Sequence, residues 1–281
     1  MAVMLCTHYV VTKQLGQSMD AVLLTAYRFF IAALPLYIYI IFTKRDPLKN
    51  LKPGIILGFF LWLVFVLIAK GVNYTTASNA GFISGIFFVF VPFAIYFVFK
   101  KTPKLSHIFV ITLSLCGLYL LTGQLQAINI GDWMILLSAI ATSIHLVFVG
   151  KYAKEQLDPI VLCFQQFTVV FLLSFIFTTI FSNHNLLISA NQVQPLLFLG
   201  LFPTLSVFLI QMISLKYVSE ITASLILSIQ PALAAVFAVW FGRESLTTTQ
   251  MFGGGLLILS AIIYQLFISD FPKKNLDYGE K

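Results

Sequence analysis

Apolar residues run along this chain in long blocks broken by short polar or basic turns, and no stretch alternates in the way a strand would. Ten such blocks can be drawn: Ala2 to Leu15, Ala21 to Thr43, Pro53 to Ala69, Thr76 to Phe99, Ser106 to Thr122, Asp132 to Gly150, Pro159 to Ser182, Pro195 to Leu215, Ile221 to Phe241 and Gln250 to Ser269. The ninth carries no charge across twenty-one residues, roughly 30 Å of helix at about 1.5 Å per residue, which matches a hydrocarbon core. The pattern predicts an all-α integral membrane protein of ten transmembrane helices, followed by a polar tail over 270–281, expected to be cytoplasmic. The first block is short for a bilayer and already holds Thr7, His8 and Lys13, as expected of either a short first helix or a misplaced start codon.

The blocks repeat. Tyr74, Gly81 and Gly85 are followed 143 positions later by Tyr217, Ser224 and Ser228, and Pro92 is followed 139 later by Pro231. The missing four residues are close to one helical turn, so the shortened copy keeps its face toward its neighbours. Earlier helices repeat at an offset of 138: Lys13 with Lys151, Asp20 with Asp158, Arg28 with Gln166, Phe29 with Phe167. Two five-helix repeats are expected, 1–124 and 131–269. Because five is odd, the second enters the membrane from the opposite side, and halves of inverted topology can exchange conformations around a midplane site.

A tyrosine, small residues at turn spacing, a mid-helix proline and the Gly242-Arg243-Glu244 that follows the ninth helix resemble the EamA-type ten-helix transporters of the drug/metabolite transporter superfamily. The resemblance spans Thr7 to Phe267 and rests on pattern. It implies a permease without a cofactor that moves a small organic metabolite, an amino acid or related compound, more often outward than inward. Nucleotide-sugar antiporters share the architecture but should place more basic side chains in the cavity, and here only Arg28 lies at depth.

Composition agrees with the pattern. Hydrophobic residues make up 59% and charged residues 10% of the 281 positions, with a mean hydropathy of +0.96. The net charge of +7 falls in short loops rather than on one face, which points to anionic lipid head groups and away from nucleic acid. With the amino terminus inside, the inner loops collect Lys44, Arg45, Lys49, Lys52, Lys100, Lys101, Lys104, Lys151, Lys154, Lys216, Lys273, Lys274 and Lys281, against Lys13, Lys70 and Arg243 outside. The positive-inside rule therefore places both termini in the cytoplasm of a multi-pass inner-membrane protein. Cys6, Cys116 and Cys163 read as small packing residues. No GxxxxGK[ST] run occurs, so pumping must draw on a gradient, of which protons are the first candidate. An intramembrane enzyme would need a nucleophile pair or acidic metal cluster, and no Asp or Glu lies well inside any block.

Several polar residues at membrane depth are candidates for the transport path. Arg28 is the costliest, at about +3 kcal/mol on insertion scales, outweighed by its apolar neighbours; it is either a counter-charge for an anionic substrate group or a snorkelling side chain. His8 and His145 lie in the first helix of each half, where an imidazole titrating near 6.5 could carry a proton. In the ungapped register His145 stands opposite Thr7 and His8 opposite Leu146, which leaves a hydrogen-bonded core histidine as the alternative. Tyr74, Asn79, Gln165, Gln166 and Gln230 complete the substrate-binding set, with amides that elsewhere simply tie helices together. Pro92 and Pro231 are expected helix breaks whose freed backbone groups face a cavity. Gly81-xxx-Gly85 and Ser224-xxx-Ser228 read as close-packing faces.

Overall fold

The computed structural model describes residues 2–100, 105–121, 129–155, 157–181, 186–218 and 247–263, with isolated positions 223, 224, 227, 239, 240 and 266. Gln230, Pro231, Ser228, Arg243, Glu244 and the 270–281 tail lie outside the described residues. The chain folds as α1 (Ala2–Gly16), α2 (Ala21–Phe42), α3 (Leu51–Gly71), α4 (Ala77–Gly85), α5 (Phe87–Phe99), α6 (Leu105–Leu121), α7 (Ile130–Lys154), α8 (Pro159–Phe181), α9 (Ala190–Gly200), a π-helical stretch Leu201–Ser206, α10 (Val207–Ser214) and α11 (Thr248–Ile263). Among the described residues every regular element is helical.

Among the described residues six spans are long and apolar enough to cross a membrane: α2, α3, the α4–α5 pair, α7, α8 and the run from α9 through α10. Over the described residues α1, α6 and α11 run for 15, 17 and 16 residues. The outer surface carries what only lipid tolerates. Phe42, Phe97, Phe181, Leu172 and Trp133 are all exposed, far beyond the scattered apolar residues a soluble surface shows.

The helix starts are written locally. Asp20 caps α2 by accepting from the backbone N–H of Val22 and Leu23 at 2.9 and 3.0 Å. Asn129 and Asp132 form a reciprocal capping box on α7. The interruption between α4 and α5 falls at Ile86, upstream of the proline expected to cause it, and Pro92 sits buried inside α5. A proline crowds the carbonyl four residues earlier, here Phe88, so the break at Ile86 lies beyond its direct reach and Pro92 is accommodated within α5.

α2, α3, α7 and α8 form the centre, with α2 packed along α8 and α3 along both α7 and α8. Where α3 crosses α7, a Cβ on Gly131 would lie 2.4 Å from the Gly71 carbonyl oxygen; backbone contact is possible only because neither residue has a side chain. α6 pairs with α11, joined by the buried hydroxyls of Ser114 and Ser260 at 2.9 Å.

The two ends of the bundle are closed differently. At one end Arg45 Nη1 donates to Asp158 Oδ2 at 2.6 Å, and Gln165 Nε2 donates to the carbonyls of Pro47 and Lys49, both at 2.8 Å. At the other end Gln192 Nε2 reaches Ser18 O and Oγ at 3.2 and 3.1 Å, and Tyr27 donates to Leu186 O at 2.5 Å. The first closure is an ion pair, the second neutral.

Candidate functional site

A cavity of about 70 Å³ lies in the core, lined by His8 and Tyr9 of α1, Leu61, Val64, Phe65 and Ile68 of α3, Ser84 of α4, Phe87 of α5, Thr142 and His145 of α7, Val207, Phe208 and Gln211 of α10, and Leu227. Small-molecule sites run to about 300–1,000 Å³, so this chamber has room for water but not for a metabolite. Larger clefts open at the two ends. One of about 560 Å³ is bounded by Arg45, Lys49, Asp158 and Lys216, the other of about 610 Å³ by Gln17, Asp20, Lys70, Asn73 and Tyr74.

The cavity wall is built from matched positions. Val64 and Val207, Phe65 and Phe208, Ile68 and Gln211, and Ser84 and Leu227 all line it, and each pair is separated by the same 143 residues that separate Tyr74 from Tyr217. Behind the wall, Phe29, Phe65, Phe208 and Phe167 form a closed ring of aromatic contacts, with centroids 4.9 Å apart for Phe29 and Phe65, 5.9 Å for Phe65 and Phe208, 6.0 Å for Phe208 and Phe167, and 5.5 Å for Phe167 and Phe29. All four contacts are edge-to-face, the arrangement the ring quadrupoles favour. Exchanging Phe29 with Phe167 and Phe65 with Phe208 maps the ring onto itself.

The two histidines join the same pattern. His8 lies 6.1 Å from Phe65, and His145 lies 5.9 Å from Phe208. In space they are counterparts, although the ungapped register sets them one residue apart. His145 Nε2 is 3.0 Å from Gln166 Oε1, and since an amide oxygen only accepts, this contact is made with a proton on Nε2. Tyr9 and Ser84, which also face the cavity, share a hydrogen bond between their hydroxyls.

Arg28 is 1% exposed and stands one layer behind this wall. Its position follows from a proline. Pro203 has no N–H to donate to the Leu199 carbonyl one turn earlier, so the helix widens into its π-helical stretch. The Thr204 hydroxyl takes up the orphaned Leu199 carbonyl at 2.7 Å and accepts from Arg28 Nε at 2.6 Å. The guanidinium carbon sits 4.4 Å from the centre of the Phe65 ring, a cation–π contact, and Tyr9 lies within its electrostatic reach. Arg28 Nη2 is buried without a hydrogen-bond partner among the described residues.

The other expected site residues are dispersed. Gln166 touches the site only through His145. Gln165 is turned to the 47–49 loop and serves the end closure. Tyr74 is exposed in the cleft at the opposite end. Asn79 is half-buried on α4, outside the described lining, and its Oδ1 has no partner among the described residues. Gln230 and Pro231 lie outside the described residues. The expectation missed Tyr9, Thr142 and Thr204, of which Thr204 had a readable signal in the Leu-Phe-Pro-Thr run at 201–204 inside an apolar block.

Comparison with known proteins agrees with this architecture. The chain is 30% identical over 256 residues to an uncharacterized transporter of Archaeoglobus fulgidus, a match covering 91% of this chain and 80% of that one. It is 29% identical over 205 residues to an uncharacterized transporter of Clostridium kluyveri, covering 68% of this chain and 64% of that one. A solved protein crystal structure superposes with a TM-score of 0.74 at 15% identity, covering 94% of both chains, a likeness of fold alone. The EamA-like transporter family model matches residues 1–123 and again 129–265, and with both halves matched the chain belongs to that family.

Proposed function

We propose that the protein is a secondary active transporter, built as ten membrane helices in two inverted five-helix repeats, 1–124 and 131–269. It exports a small organic metabolite, an amino acid or related compound, across the cytoplasmic membrane by alternating access, with both termini inside. The observation that carries this reading is the cavity wall: residues at one constant offset face each other across a single chamber, as two exchangeable halves require. The chamber is too small for a metabolite and lies between larger clefts at the two ends, which suits a shut intermediate between inward-open and outward-open states. The Arg45–Asp158 pair closes the end assigned to the cytoplasm, and the Ser18–Gln192 contact closes the other.

His8 and His145 are the proton-coupling residues of this reading, since both face the chamber from matched helices. The test is flux of pooled radiolabelled metabolites into vesicles reconstituted with the full chain, with and without an imposed pH gradient. A gradient-dependent signal that His8→Gln or His145→Gln removes supports the proposal. Absence of flux from every pool, with a folded protein in the vesicles, overturns it.

A further inference from the structure

Arg28 presents a buried charge with nothing of opposite sign against it among the described residues. It is almost wholly buried, its Nε is satisfied by a neutral hydroxyl, its flat face is covered by Phe65, and its Nη2 has no partner among the described residues. A buried charge persists only when paired or when its partner arrives with function. None of the described residues supplies that partner. Asp20 at the start of α2 and Asp132 at the start of α7 are engaged in capping, Asp132 also accepting from Thr75 at 2.6 Å, and none of the ten Asp and Glu residues falls well inside an apolar block. Phe65 separates the guanidinium from the cavity, offering its electron-rich face where an anion would otherwise sit, and the rest of the wall is apolar or neutral.

We propose that the transported class is small monocarboxylates with an apolar body, recognised through Arg28 once the Phe65 ring swings aside, and that an ammonium group is not part of what the site reads. A guanidinium presents a planar fork matched to one carboxylate. A diphosphate or dicarboxylate would need further fixed cations, and Arg28 is the one Lys or Arg that lies well inside an apolar block. A substrate ammonium would have to be desolvated against His8, His145, Thr142 and aromatic rings with no carboxylate to receive it. This inference rests on the transport reading for its biology, but its chemistry is tested by binding alone.

The experiment uses four probes with the same body: phenylacetate, phenylalanine, phenethylamine and phenylalaninamide. Each is titrated onto the purified full chain in detergent at pH 7.5, and binding is read by calorimetry. Phenylacetate is expected to bind at least about tenfold tighter than phenethylamine or phenylalaninamide, the effect of one charge-assisted pair, and no weaker than phenylalanine. In Arg28→Gln the preference should collapse, and in Arg28→Lys it should survive in part. The unsubstituted protein decides the matter even if the variants do not fold. Equal or tighter binding of the amine or the amide, or no binding of any probe, overturns the proposal. Binding of phenylacetate without flux in reconstituted vesicles would sink the transport reading and leave the ligand class standing, whereas flux of the amine in preference to the acid would do the reverse.

Discussion

Removing the Arg45–Asp158 pair should loosen one end of the bundle by a calculable amount. Asp158 has two jobs: Oδ2 accepts from Arg45 Nη1 at 2.6 Å, and Oδ1 accepts from the Ile160 backbone N–H at 2.9 Å as the cap of α8. Asp158→Asn keeps an oxygen for the cap and deletes only the charge, so it isolates the pair. Both side chains are about a third exposed, 33% and 32%, and such pairs are screened by water and salt to about 0.2–1 kcal/mol. The fraction of molecules open at that end should therefore rise about 1.5- to 5-fold. Val161 is buried in the wall of the cleft there, and Val161→Cys offers a reporter whose labelling by a membrane-impermeant maleimide measures opening. Labelling should quicken by that factor in Asp158→Asn and in Arg45→Gln, with the double variant no faster than either alone. Raising the salt to 0.5 M should speed labelling in the parent and leave Asp158→Asn unchanged. Additive effects of the two substitutions, or unchanged labelling in both, would refute a latch at this position.

Other outcomes follow from packing and charge. Gly131→Ala drives a methyl against the Gly71 carbonyl, which cannot move without shifting α3, and should cost about 1–3 kcal/mol; the drop in Tm in detergent checks it against Gly255→Ala, where a Cβ meets nothing within 4 Å. Thr204→Val strands both the Leu199 carbonyl and Arg28 Nε and should destabilise by about 1–3 kcal/mol, while Thr204→Ser, which keeps the hydroxyl, should retain most of the parent Tm. If a carboxylate travels without a compensating proton, an imposed potential of 100 mV, inside negative, is worth about 2.3 kcal/mol to its exit, or about a 50-fold concentration ratio at equilibrium. Phenylacetate efflux that ignores a valinomycin-set potential would mean that a proton moves with it.

The membrane class of this protein, its duplicated plan and its family were written in local pattern. An apolar block declares its preference for lipid residue by residue, and the recurrence of Tyr74 at Tyr217 or Phe29 at Phe167 needs no knowledge of packing. His8 and His145 were also readable, because an ionisable residue at depth is conspicuous in an apolar block. Their equivalence was not readable, since the alignment register is off by one and only the contacts with Phe65 and Phe208 set it right.

Side-chain direction was the part the sequence could not decide. Gln165 and Gln166 are adjacent, yet about 100° of helical rotation sends one to a loop and the other to a histidine. Tyr74 marked the repeat but ended at the surface, because the turn that holds it opens outward. Arg28 was visible as a charge from its codon alone. That it has Phe65 across its face, Thr204 on its Nε and a bare Nη2 depends on Pro203, 175 residues away, widening another helix by a fraction of a turn. Hydropathy is a property of each residue and survives in the linear chain; the meeting of residues from six helices and Leu227 around one cavity depends on how those helices pack, which no single segment encodes.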